Sequence, residues 1–262
     1  MNLDKVAKEI RIKTISSLYT AQSGHPGSSL SVVEILSTLL FREMKLKGEK
    51  RDRFVLSKGH ATPSFYAALS VLGYISDKDL RTLREMGSHL EGHPVRGKLP
   101  LIDASTGSLG QGLSVGIGFA LAIKLKKEDR RVYVVIGDGE SQEGQIWEAA
   151  MSAPKFGLDN LLVIVDYNKY QNDGLVSEIM PIEPLRQKWE SFNWHTLEVD
   201  GHNINELLSA YENARRAASP SVIIAHTIKG KGVSFMEGDM RWHSKAINQE
   251  EYKAAMQELG AY

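Results

Sequence analysis

The sequence predicts an α/β fold: a parallel sheet covered by helices on both faces. Three observations carry this. From residue 111 onward, segments of helical and extended pattern alternate, and alternation of this kind builds a parallel sheet. Some of the extended segments are continuous apolar runs, such as Val132-Tyr133-Val134-Val135-Ile136, which suits strands buried on both sides. The chain has 262 residues, 42% of them apolar and 24% charged, which suits one large domain spanning 1–262.

In chain order, Leu3, Val6, Ile10, Ile15, Leu18 and Tyr19 recur at helical spacing and open the chain with a helix. Gly24-His25-Pro26-Gly27 forces a turn and leaves a histidine in a loop. A second helix is expected over Val32 to Phe41, a short strand over Phe54 to Leu56, and another helix over Ala61 to Leu72. Residues 87–112 are rich in Gly, Pro, Ser and His and lack periodicity; a loop of this length inside a domain points to function. Then come helix Gln111 to Lys126, strand Arg131 to Ile136, helix Gln145 to Phe156 and strand Asn160 to Asp166. Strand His195 to Val199 precedes Asn203, an N-cap with Glu206 at the capping-box position. The following helix should bury Leu207, Leu208, Tyr211, Ala214 and Ala218 before strand Ser221 to Ala225. Glu250 to Leu259 reads as a terminal helix, and the initial Met1 favours a natural chain over a truncated one.

Composition removes several function classes. With no cysteine, disulfides, zinc fingers and thiol nucleophiles are excluded. Lys plus Arg equals Asp plus Glu at 32 each, so nothing favours nucleic acid or a membrane surface as partner. No signal peptide or membrane-length apolar run is present, and the expected location is cytoplasmic. His89 and His93 have the spacing of a helical metal pair, but Gly92 and Pro94 oppose a helix there and no third ligand stands out. Gly110, Gly112, Gly116 and Gly118 miss the dinucleotide spacing, so they read as close-packing positions on a helix. Lys45 to Arg53 reads as a solvated basic face.

In parallel sheets, ligands bind beyond the carboxyl ends of the strands. One strand ends in Gly137-Asp138-Gly139 and the next in Asp166-Tyr167-Asn168-Lys169-Tyr170. Adjacent strands would bring Asp138 and Asn168 together. A carboxylate with an amide oxygen suits a hard cation such as Mg²⁺ or Ca²⁺, which completes its shell with phosphate oxygens and water. The flanking glycines would let a phosphate approach the backbone. Alone, Gly-Asp-Gly is a turn; the asparagine at the next strand end changes that reading.

Gly-Asp-Gly followed at this distance by Asn resembles the fingerprint of thiamine-diphosphate enzymes, and the surrounding motifs resemble the transketolase family. These are Ser23-Gly24-His25-Pro26-Gly27, Leu56-Ser57-Lys58-Gly59-His60, Gly92-His93-Pro94, Ser105-Thr106-Gly107-Ser108-Leu109-Gly110-Gln111-Gly112, Gly137 to Gly144 and Asp200-Gly201-His202. The resemblance implies thiamine diphosphate and Mg²⁺, with Ca²⁺ or Mn²⁺ as alternatives. It implies that Asp138, Asn168 and the Tyr170 carbonyl ligate the metal, and that Gly139 faces the diphosphate. His60 would contact the diphosphate, while Gly107, Ser108 and Leu109 would line the cofactor. His25, His93 and His243 would surround the reacting carbon, with His243 also near the cofactor. Glu143 would link paired active sites.

Two departures from the family are mild: Ser108 stands where proline is usual, and Tyr167 where a second aspartate is usual. A larger one is length, because transketolases carry a pyrimidine-binding domain and a C-terminal domain that this sequence lacks. The expectation is therefore an N-terminal subunit of a split transketolase. It would transfer a two-carbon ketol unit from a ketose phosphate to an aldose, with a separate partner subunit in an α₂β₂ heterotetramer. The alternatives are a subunit of a 1-deoxyxylulose-phosphate synthase-like or 2-oxo acid dehydrogenase-like enzyme, or a non-catalytic regulatory subunit.

Overall fold

Five parallel strands form one sheet in the computed structural model, which describes residues 2–261. Met1 and Tyr262, the two ends of the expected domain, lie outside the described residues. The strands are β1 (Arg53–Leu56), β2 (Val132–Gly137), β3 (Leu161–Tyr167), β4 (His195–Asp200) and β5 (Ser221–His226), in the order β1-β2-β3-β5-β4. Every neighbouring pair is parallel, so all five carboxyl ends share one edge. β2 and β3 are neighbours with Gly137 level with Asp166, which brings the turns after them together.

The apolar strand runs divide between two cores. Tyr133, Val135, Leu162, Ile164 and Ile223 face one side. There they pack with α1 (Leu3–Ala21), α3 (Val33–Thr38), α4 (Thr62–Val71) and α10 (Ile204–Arg216). Val132, Val134, Val163, Val165, Val222 and Ile224 face the other, against α6 (Gln111–Leu125), α7 (Gly144–Lys155) and α9 (Leu185–Ser191). Alternation of side chains along a strand explains why an unbroken apolar run can serve both. Among the described residues, no helix is long and apolar enough to cross a membrane.

The elements differ from the sequence expectation in four places. Over the expected Val32 to Phe41 the chain is helical, as α3 and a π-turn at Leu39–Glu43, but helical structure begins earlier, with a separate α2 (Pro26–Ser31) that breaks at Val32. Its earlier start has a local cause: Pro26 occupies a first-turn position, where its missing N–H costs nothing. Asn203 caps α10 as expected, but Glu206 accepts the N–H of Asp200 instead of that of Asn203, so no reciprocal box forms. Ala218 is exposed because α10 ends at Arg216. Short helices at α5 (Asp77–Leu80), α8 (Val176–Ile179) and α9 were not expected.

Candidate active site

The site sits where the β1, β2, β3 and β5 carboxyl ends meet the loops before α2 and α6. Asp138 follows β2 directly and is 1% exposed. Its carboxylate accepts the N–H of Gly139 at 2.8 Å and the N–H of Lys169, so it lies against the turn that follows β3. Asn168, 4% exposed, donates its side-chain N–H to Asp166 at 3.0 Å and accepts the Tyr170 N–H at 3.1 Å. Asp166 is acceptor-only when ionised, which fixes the amide with its nitrogen toward Asp166 and its oxygen toward the 168–170 turn.

Asp166 is fully buried and fourfold bonded. It accepts from Lys58, from Ser31 at 2.6 Å, from Thr227 and from Asn168. Burial alone would push this carboxyl up, but the Lys58 charge and the hydrogen bonds from Lys58, Ser31 and Thr227 together outweigh it and hold it below its usual value. Asp138 is treated differently. Burial first, and the nearby Asp166 carboxylate second, push it up to about 7. A buried carboxyl in that state gains from a cation, and the oxygens beside it are the carboxylate, an amide and the backbone. This donor chemistry fits Mg²⁺ or Ca²⁺. Among the described residues, no group of three His, Cys, Asp or Glu side chains is arranged to hold a metal.

Four histidines form a cluster above these acids. The His25 ring lies 5.5 Å from His60, 6.4 Å from His93 and 5.3 Å from His243, and His60 lies 5.3 Å from His243. His25 reaches this position as the left-handed residue ahead of α2, with φ 76°. Burial, then the Arg84 charge, lowers His25 to about 4; burial, then the Lys229 charge, lowers His243 to about 3. Burial also lowers His60 and His93. All four rings are therefore neutral near pH 7, able to accept a proton at one nitrogen and donate from the other. Lys229, buried and brought down to about 8 by burial and by Lys58, donates to His243 Nδ1 at 2.9 Å, which leaves the His243 proton on Nε2.

The 105–110 loop closes over this cluster. Gly107 has φ 142°, and a side chain there would meet the His93 ring at 3.1 Å. Buried Glu140 binds this loop to the turn after β2. Its carboxylate accepts from Ser57, from the Gly110 N–H at 2.9 Å and from the Gly137 N–H at 3.1 Å. Ser108 is exposed and Leu109 half-buried. Gly139 packs against Gln171, where a Cβ would come within 3.0 Å. Glu143, the residue before α7, is exposed. Thus the structure gathers His25, His60, His93, His243, Asp138, Gly139, Asn168 and Tyr170 around one strand edge. Sequence reasoning assigned no role to Lys58, Asp166, Glu140 or Lys229. Lys58 and Asp166 were visible only as members of longer motifs.

A site of this make-up at the carboxyl edge of a parallel sheet defines a class, the thiamine-diphosphate-binding α/β domain. The family description "Transketolase, thiamine diphosphate binding domain" matches residues 3–262. The chain is 46% identical to the 6-deoxy-6-sulfo-D-fructose transketolase subunit SqwG of Clostridium sp., over 99% of this chain and 96% of that one. It is 40% identical to an apulose-4-phosphate transketolase subunit of Phocaeicola vulgatus, over 98% and 93%. The crystal structure of transketolase from Campylobacter jejuni superposes with a TM-score of 0.94 at 33% identity, over 99% of this chain and 43% of that chain. The chain thus spans less than half the length of that solved transketolase. It belongs to the transketolase family, as the N-terminal thiamine-diphosphate-binding domain.

Proposed function

We propose that residues 1–262 form one domain, the diphosphate- and metal-holding subunit of a two-component transketolase. It works with a separate subunit that supplies the pyrimidine-binding and C-terminal domains, in an α₂β₂ assembly in the cytoplasm. Two relatives of nearly the same length are named as transketolase subunits, which supports the division between chains. The observation that carries the reading is the pairing of buried Asp138 with the Asn168–Tyr170 turn beneath four neutral histidines.

In this reading Asp138, Asn168 and the Tyr170 carbonyl hold Mg²⁺, Ca²⁺ or Mn²⁺, and Gly139 and His60 face the diphosphate. Gly107, Ser108 and Leu109 line the cofactor. Bound thiamine diphosphate supplies a carbon nucleophile and an electron sink for breaking a bond next to a carbonyl. His25, His93 and His243 orient the substrate's hydroxyl and carbonyl oxygens by hydrogen bonds, and their neutral rings take up and return hydroxyl protons. Glu143, exposed ahead of α7, meets the neighbouring half of the assembly. The substrate is a ketose with an anionic end, and the transferred group is its two-carbon ketol unit. Both relatives are named for sugars bearing a sulfonate or phosphate, which supports that class.

The test is to coexpress the chain with its candidate partner and assay ketol transfer between sugar phosphates. Activity should require both chains. Asp138→Ala should abolish metal-dependent thiamine diphosphate binding in calorimetry while leaving the circular dichroism spectrum unchanged. Unchanged binding in that variant would refute the metal assignment.

A further inference from the structure

Outside the catalytic cluster, a buried polar network runs through Arg11, Glu34 and His202. Arg11 on α1 is 7% exposed and Glu34 on α3 is 8% exposed. The guanidinium grips the Glu34 carboxylate through both terminal nitrogens, at 2.6 and 2.7 Å. His202, in the turn between β4 and α10, donates from Nδ1 to the same carboxylate at 2.9 Å. Burial alone would raise the Glu34 carboxyl, but the hydrogen bonds from His202 and Arg11 outweigh it and hold it near 2.

The network ends on backbone. His202 Nε2 accepts the N–H of Ile228 at 2.8 Å. A backbone N–H can only donate, so Nε2 carries no proton and the ring is in its Nδ1–H form. Arg11 Nε donates to the carbonyl of Lys231 at 2.9 Å. Gly232 completes the contact: its φ is 94°, and a Cβ would come within 2.8 Å of Arg11 Nε. Two arms of one ion pair therefore hold the chain on either side of Lys229. The Lys229 ammonium points inward to His243 Nδ1 at 2.9 Å, and the Gly230 N–H bonds the carbonyl of Gly27, two residues after His25.

We propose that Arg11, Glu34 and His202 are positioning residues: they clamp segment 228–231 and thereby set Lys229 against the histidine cluster. The proposal rests on the reading of that cluster as the cofactor site. A buried ion pair is often no more stabilising than apolar residues of the same volume. Here its geometry does something apolar side chains could not, because both free valences end on backbone atoms flanking one active-site lysine. The clamp's two arms end on the backbone of residues 228 and 231, and its effect on the histidine cluster passes through Lys229.

The test uses the full chain as wild type, His202→Ala, His202→Gln, Lys229→Ala and the His202→Ala/Lys229→Ala double variant. Amide exchange at residues 228–230 should be about tenfold faster in His202→Ala, the loss expected for one hydrogen bond, while β2 and β3 amides keep wild-type rates. His202→Gln, whose side-chain carbonyl can accept the Ile228 N–H, should recover most of the protection. Calorimetry with thiamine diphosphate and Mg²⁺ should show about tenfold weaker binding in His202→Ala and no added loss in the double variant over Lys229→Ala. Unchanged exchange at 228–230, faster exchange spread evenly over the sheet, or equal losses in both backgrounds would each overturn the clamp. A wild-type chain that binds no thiamine diphosphate would overturn the cofactor reading instead, with the exchange arm still deciding the clamp.

Discussion

Asp138 and Asp166 are two carboxyls at one sheet edge with opposite fates, and the difference lies in their partners. Asp166 has a lysine ammonium and three further donors; Asp138 has two backbone N–H groups and a neighbouring negative charge. The folded Asp138 carboxyl holds its proton up to about pH 7, whereas the unfolded one releases it near 3.8. Stability of the metal-free chain is therefore lost as pH rises between these values, and the cost is complete above pH 7. Asp138→Asn should stabilise the metal-free chain at pH 8 by a few kcal/mol, on the order given by the shift, and give little gain at pH 4. Urea unfolding at the two pH values checks this; equal gains at both would remove charge burial as the cause. Asp138 and Asn168 are legible in the sequence because glycines flank the acid and both follow apolar strands. Lys58 and Lys229 are not, because nothing local separates a buried lysine from a surface one, and Lys229-Gly230-Lys231-Gly232 reads as a basic turn. Their roles depend on Asp166 and His243, which only the fold brings near.

Much of the alternation of helices and strands is legible from residue 111 onward because β2, β3 and β5 are largely apolar runs and α10 has a clear helical period. The region from Pro26 to Glu43 was harder. It is buried on nearly all sides, so no polar face marks a helical period, and the break at Val32 leaves no sequence signal. On α6 the small residues read as close packing, and this holds for Gly112 and Gly116 but not for Gly118. A Cβ on Gly116 would lie 2.5 Å from Val134 Cγ2 on β2, while one on Gly118 meets nothing within 4 Å. Gly116→Ala should destabilise the domain by about 1–3 kcal/mol through overpacking. Gly118→Ala should stabilise it by about 0.5–1 kcal/mol through helix propensity. Denaturation midpoints of the two variants should move in opposite directions; a shared direction would mean that α6 does not rest on β2 at Gly116.

At the scale of the molecule, the proposed cofactor contacts come from one half of a site. The isolated chain should therefore bind thiamine diphosphate at least about tenfold more weakly than the assembled enzyme, since fewer contacts offset the cost of immobilising the ligand. Calorimetry with and without the partner tests this, and equal affinities would mean that one chain holds the whole cofactor. The order β1-β2-β3-β5-β4 carries a different consequence, for the chain's synthesis. β1 has no strand partner until β2 has been made, and the ring nearest His25 among the late residues, His243, follows the last strand. At about 5–20 residues/s on the ribosome, roughly 10–40 s separate the appearance of these two histidines. Nascent chains released before His243 would carry His25, His60 and His93 but not the fourth ring, so the complete histidine cluster exists only once nearly the whole chain has been made.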